Sequence, residues 1–238
     1  MKKNIYSTVL LLFALFVLSH CSSPKSLLNK GDYYQASISA IQKLRSSPNN
    51  ANAQTVIVQA YPLALQLGQR AIANAQLRND VAKYDEIIFQ YSQLNNLSNQ
   101  IYACPKAYEL IGTPQEFLSE LEQTKVKAAE QFYNQGVNAL KNNTIDQARL
   151  AYSYFSRANA YSPGYRDVIK KIEEAWFYST LHVVVYPPQT SMRFQVSADF
   201  FYNNLIAEMT RTNQYKFVRF YTPDEARNEG MTNPNQYI

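Results

Sequence analysis

The sequence is poor in the residues on which most enzymatic chemistry depends. It has two histidines, His20 and His182, so a His-based triad or a His-rich metal site is hard to build. Its six glycines fall in no G-x-x-x-x-G-K-[ST], G-x-G-x-x-G or G-x-S-x-G pattern, which leaves no phosphate cradle and no nucleophile elbow. No cofactor is signalled. Adjacent carboxylates such as Asp85-Glu86 and Glu173-Glu174 lie on helical stretches, where neighbouring side chains point apart, and they read as solvated faces. Positive charge is also unclustered. The net charge is +5, of which Lys2 and Lys3 supply two, and beyond residue 20 no basic run exceeds Lys170-Lys171, so the chain lacks the basic face that a nucleic-acid partner requires.

Long apolar runs are absent as well. The longest, Val9–Leu18, has ten residues, whereas a bilayer-spanning helix needs about 20. Lys2 and Lys3 precede it and small polar residues follow, which is the arrangement of an export signal. The stretch Leu18-Ser19-His20-Cys21 resembles the lipobox of bacterial lipoproteins, with His20 where that family carries Gly, Ala or Ser. The resemblance implies a signal peptide over residues 1–20 and an acyl chain, palmitate for instance, on Cys21 of the mature protein. By the sorting rule of enterobacterial lipoproteins, Ser22 in place of Asp implies the outer membrane. Without an acidic cluster after Cys21, the periplasm-facing leaflet is expected. Cys104 is then left alone, and no intramolecular disulfide is expected. It lies in Ile101-Tyr-Ala-Cys-Pro between two helical segments, with apolar neighbours and no nearby histidine, which fits packing rather than a reactive thiol.

What the sequence does have is apolar and aromatic content. Hydrophobic residues make up 46% and aromatics 13%, with 19 Tyr against one Trp, which is the composition of a folded chain that uses tyrosine as an amphipathic filler. From Pro24 to Trp176 apolar residues recur at three- and four-residue steps, so the body is read as α-helical. Gly31-Asp32-Tyr33 with Ala36 and then Pro48 resembles the second helix of a tetratricopeptide repeat. Helices are expected at about 52–61 and 63–77, separated by Pro62. A second unit of the same kind places Ala128, Phe132 and Gly136 on one helix of 114–141, and Ala148, Ala151, Phe155 and Ala158 on its partner before Pro163. Residues 78–112 do not follow the pattern. A plain antiparallel helical bundle is the alternative that the same spacing permits.

At Ser179 the character changes. Leu181–Tyr186 is rich in β-branched and aromatic residues and reads as a strand. Residues 197–210 read as a helix whose apolar face carries Phe200, Phe201, Leu205, Ile206 and Met209. Tyr215–Tyr221 reads as a second strand, parallel to the first. A short helix follows, with Thr222 as N-cap and Pro223 at its first position. His182 reads as a solvated or capped strand residue. The layout is similar to the start of the α/β domain of curli-secretion lipoproteins and of lipoprotein activators of penicillin-binding proteins. That resemblance makes residues 233–238 the beginning of a third strand and the segment incomplete relative to that layout.

The fold class expected is therefore mainly α, with tetratricopeptide-like helical hairpins over residues 21–178 and a small α/β segment over 179–238. The function expected is protein binding: a lipid-anchored scaffold whose partners are other envelope proteins and whose groove residues are Tyr33, Tyr34 and Tyr154. The alternative is an envelope enzyme acting on peptidoglycan through two carboxylates from distant loops.

Overall fold

A computed structural model describes residues 23–212 and 215–231, together with the backbone of 236–237. The expected signal peptide, residues 1–20, and the expected lipidation residue Cys21 lie outside the described residues. The protein is mainly α with a small parallel α/β segment. It divides by packing into two compact units at Thr124–Lys125. The change from helix to sheet comes later, after Ser179.

The first unit is built from α1 (Pro24–Asn29), α2 (Tyr33–Ser46), α3 (Ala51–Gln76), α4 (Lys83–Tyr102) and α5 (Pro105–Ile111). Local chemistry sets most of these ends. Ser23 accepts from the Ser26 amide and Pro24 opens α1, while Gly31, at φ +80°, makes the left-handed turn that a side chain would strain. Asp32 then caps α2 by accepting from the Gln35 amide, and Asn50 caps α3 through the Ala53 amide at 2.9 Å. One expectation fails here. Pro62 does not separate two helices; α3 runs through it for 26 residues. Proline removes the bond to the carbonyl of Val58, but Val58 and Pro62 are both exposed, so water can take that carbonyl. The buried stripe Ala53, Val56, Ile57, Ala60, Ala64 continues past the proline to Gly68 and Ile72 and holds the helix together.

Small residues let α2 and α3 approach closely: Ala36 and Ala40 of one and Ala53, Ala60 and Ala64 of the other share a core with Ile41, Leu44, Leu97 and Ile101. Cys104 is 1% exposed in that core, its Sγ 3.9 Å from the Ile41 carbonyl oxygen, which is the packing role its neighbours indicated. A second cluster joins Ile72 and Ala75 of α3 to Ile87 and Leu94 of α4 and to Phe117. The stretch 78–112, which no repeat pattern explained, thus supplies α4 and α5 to the same body. Three hydrogen bonds hold the following loop: Asn95 Oδ1 accepts from the Phe117 amide at 2.6 Å, Ser98 donates to the Gln115 carbonyl, and the Tyr61 hydroxyl accepts from the Gln115 amide.

The helix α6 (Leu118–Leu140) carries the boundary between the units. Its second half pairs with α7 (Ile145–Tyr161), which packs on α8 (Val168–Ser179). The fit of α6 and α7 is close. A Cβ placed on Gly136 would lie 2.7–2.8 Å from the Phe155 ring. Phe132 stacks on Tyr161 at 5.8 Å, and Tyr133 meets Phe155 edge-on at 5.5 Å.

Tyr133 also donates its hydroxyl to Asp167, at the start of α8, at 2.5 Å. That hydrogen bond, reinforced by burial, pushes the Tyr133 phenol up to about 12, and accepting it holds the Asp167 carboxyl below its ordinary 3.8. The depressed carboxylate adds stability above its ordinary range, and loses it as pH falls through the lowered value. The raised phenol adds stability that is complete below about 10 and is lost as pH climbs toward about 12. Tyr133→Phe should therefore flatten both flanks of the profile of melting temperature against pH. An unchanged profile in thermal melts across that range would show that the pair does not matter.

The α/β segment comprises β1 (Leu181–Val184), a single 3-10 turn at Met192–Phe194, α9 (Gln195–Thr212), β2 (Val218–Tyr221), α10 (Pro223–Asn228) and β3 (Gln236–Tyr237). The strand order is β2-β1-β3, and both neighbours run parallel to β1. Residues 236–237 thus stand where a third strand was expected. Leu181 pairs with Val218 and Val184 with Tyr221. Thr222 caps α10 in a full capping box with Glu225. On one face of the sheet Val183 and Val185 pack with Tyr202, Ile206 and Met209 of α9, while on the other Val184 and Tyr221 pack with Ala226 of α10.

Two sequence expectations are corrected by this double cover. The face that α9 lays on the sheet is Tyr202–Ile206–Met209; Phe200 and Phe201, at 73% and 60% exposure, point away from it. The Tyr202 hydroxyl, which donates to the Val185 carbonyl at 2.7 Å, gives that side its anchor. Of the two readings of His182, solvated or capped, the first fails, because the ring is buried. Its ring lies 4.7 Å from that of Phe177, and both ring nitrogens are within hydrogen-bond distance of a partner.

Candidate functional site

Two of the three expected groove residues come together. Tyr33 and Tyr34, the first residues of α2, stand half-buried at a cleft of about 430 Å³ in the first unit. The turn at Gly31 and the Asp32 cap place them there. The Tyr34 hydroxyl accepts a 2.7 Å hydrogen bond from Asn96 Nδ2, which fixes α2 against α4 across 62 positions of sequence. Opposite the two rings lie Leu67, Arg70 and Asn74 of α3, and Gln90 and Gln93 of α4. Gly68 forms part of the wall because α4 comes close: a Cβ there would meet the Leu94 side chain at 3.1 Å.

The chemistry of this cleft is that of recognition. Two phenols, three side-chain amides and one guanidinium offer donors and acceptors for a peptide backbone, and the rings supply apolar area at low conformational cost. Gln90 is oriented by donating to Glu86 at 2.8 Å.

Tyr154 sits elsewhere. It belongs to α7 in the second unit, half-buried, with its ring 6.2 Å from that of Phe132. Its neighbour Tyr152 lines a groove of about 530 Å³ with Arg149, Ser153, Ser156, Arg157, Lys216 and Phe217. The spacing 149, 152, 153, 156, 157 puts these α7 residues on one helical face, and that signal was present in the sequence. Lys216 and Phe217 reach the groove only through the sheet connection, which no local pattern announces.

Two of the carboxylates that line cavities have structural roles. Glu225 and Glu229 border a cavity of about 180 Å³, but Glu225 completes the capping box and Glu229 pairs with Arg219 at 3.0 Å. Among the described residues no group of three or more His, Cys, Asp or Glu is arranged to hold a metal ion, and no helix is long and apolar enough to cross a membrane. Compared with protein-family models, curated proteins and solved structures, the chain matches none.

Proposed function

We propose that the protein is a lipoprotein of the bacterial outer membrane, anchored through Cys21 and facing the periplasm, whose helical body binds other envelope proteins. The observation that carries the binding reading is the cleft at Tyr33 and Tyr34, where two half-buried phenols face amide side chains and a guanidinium. Tyrosines in such settings are frequent energetic anchors of protein interfaces. The anchor rests on the sequence: an apolar run too short to span, followed by a lipobox-like stretch ending at Cys21. Lipidation then confines the binder to one surface and raises its effective concentration near envelope machinery. The tetratricopeptide-like reading of the helical hairpins belongs to this proposal too.

Crosslinking in intact cells followed by affinity capture tests both parts. Cys21→Ala should move the protein from the membrane to the soluble fraction and change its neighbours. Tyr33→Ala combined with Tyr34→Ala should leave it in the membrane while lowering recovery of its main partner by about tenfold or more. If Cys21→Ala stays membrane-bound with the same neighbours, the anchor is wrong. If the tyrosine pair changes nothing in capture, the cleft is not the binding site.

A further inference from the structure

The helix α9 is apolar on two sides. Tyr202, Ile206 and Met209 lie on the sheet. Successive helical residues are rotated by about 100°, so Ser197, Phe200, Asn204 and Ala207 fall on the opposite side, flanked by Phe201 and Leu205. The 3-10 turn at Met192–Phe194 leads into the helix through Gln195, whose backbone is already α-helical, and adds Arg193 and Phe194 to the exposed surface there. Met192, Phe194, Val196, Phe200 and Phe201 are all more than half exposed, within ten residues of chain. Apolar residues scattered singly over a surface are ordinary, whereas a contiguous group of this kind marks an interaction surface.

The charges on the same face indicate what covers it. Arg193 stands at one end, exposed beside the Phe194 ring at 5.6 Å, and Glu208 at the other, fifteen residues or about 22 Å further on. The apolar residues lie between them. A face with a cation at one end and an anion at the other is complementary to its own copy turned end for end, as a two-fold axis requires. Laid antiparallel about an axis between Phe200 and Phe201, two α9 helices set Arg193 against the second copy's Glu208 at both ends. The same register brings Phe194 over Ala207, Val196 against Leu205, Ser197 against Asn204 and Phe200 against Phe201, and sets no two like charges opposite each other. Glu208 already accepts from Arg211 at 2.6 and 3.0 Å, and both are exposed. A carboxylate has about four lone-pair sites, so Arg193 of the second copy joins that pair instead of replacing it. A lipid surface fits less well, because a helix that lies on a membrane is rich in Lys and Arg on its polar face, whereas α9 exposes Asp199 and Glu208 as well as Arg211.

We propose that α9 is a self-association surface, through which two copies of the chain pair by antiparallel helices, with Arg193–Glu208 ion pairs at both ends of a Phe200–Phe201 centre. The contact is one 18-residue helix from each copy, about 27 Å long, which is a low-end interface, so the dimer dissociates on dilution. It depends on neither the anchor nor the cleft in the first unit.

The test is made on the full chain in intact cells with a short thiol-specific bifunctional crosslinker. Ser197→Cys combined with Asn204→Cys, both at exposed positions, should give a covalent dimer on a denaturing gel at about tenfold the yield of the unsubstituted chain, whose own cysteines set the baseline. Each single cysteine should stay near that baseline, because in this register residue 197 lies about 10 Å along the axis from its counterpart. In the paired-cysteine background Arg193→Glu or Glu208→Arg sets like charges against each other and should lower the dimer about tenfold. Expressed together with different tags, the two charge variants should pair with each other and recover a mixed dimer, which variants that had failed to fold could not do. No dimer from the paired cysteines, the result if lipid or another protein covers the face, overturns the proposal. So do single cysteines that crosslink as well as the pair, an unchanged yield in the charge variants, or a mixed pair that does not recover.

Discussion

Phe155→Ala is expected to lower the stability of the second unit by about 3–5 kcal/mol, the usual range for emptying a fully buried aromatic site. That is a large part of the 5–15 kcal/mol that typically separates a folded domain from its unfolded chain. The ring occupies the space left by the missing side chain of Gly136 and meets Tyr133 edge-on, so its removal leaves a void bounded by two helices, not a surface that can collapse. The converse substitution makes the argument sharper. Gly136→Ala gains about 1 kcal/mol in helix propensity, yet its methyl would stand 2.7 Å from Phe155 Cε1, and overpacking of this kind costs about 1–3 kcal/mol. Alone it should destabilise. Combined with Phe155→Leu it should recover part of the loss, giving a coupling of opposite sign to simple additivity in a double-mutant cycle. Additive denaturant midpoints for the pair would show that the two residues do not pack as described.

His182→Ala should weaken the α/β segment strongly. The Phe177 carbonyl can only accept, so His182 Nε2 carries the proton, and Nδ1 then accepts from the Tyr221 hydroxyl at 3.0 Å in the neutral ring. Truncation removes both partners at once. A buried hydroxyl left unpaired costs about 1–3 kcal/mol, and the Phe177 carbonyl, being partly accessible, costs less. Tyr221 is fully enclosed, and burial pushes its phenol above the ordinary range, so ionisation offers it no relief. The loss should be local: faster amide exchange at Leu181–Val184, with the helices of the first unit unaffected. Undiminished protection of β1 in the variant would refute the role given to the imidazole.

How far these features can be read from sequence depends on whether the signal is local. The Thr222 cap with Pro223 behind it is short-range chemistry and sits where the sequence placed it, and the Gly31 turn and the Asp32 and Asn50 caps, though not read beforehand, are equally local. The mainly helical class followed from the three- and four-residue spacing. Pro62 was misread because its local cost was visible, whereas the buried stripe that outweighs it needs α2 and α4 in place. On α9 the chain is apolar on two sides, and only the sheet decides that Tyr202 faces inward while Phe200 does not. His182 stands on a strand covered on both faces, so alternation could not report its burial. In the groove of the second unit the arginine spacing was legible, but the approach of Lys216 was not.

The strand order carries one more consequence, in the time domain. The hairpin of α6 and α7 closes over the few residues between Leu140 and Ile145, so its contacts form early and cheaply. The central strand β1 is different, because the partners of its residues Leu181 and Val183 begin at Val218 and Gln236 and each pairing must wait for a helical crossover. Until then its ladder groups are unpaired and its valines uncovered. The second unit therefore folds on two clocks, and the slower one runs through a strand that is made before either of its neighbours exists.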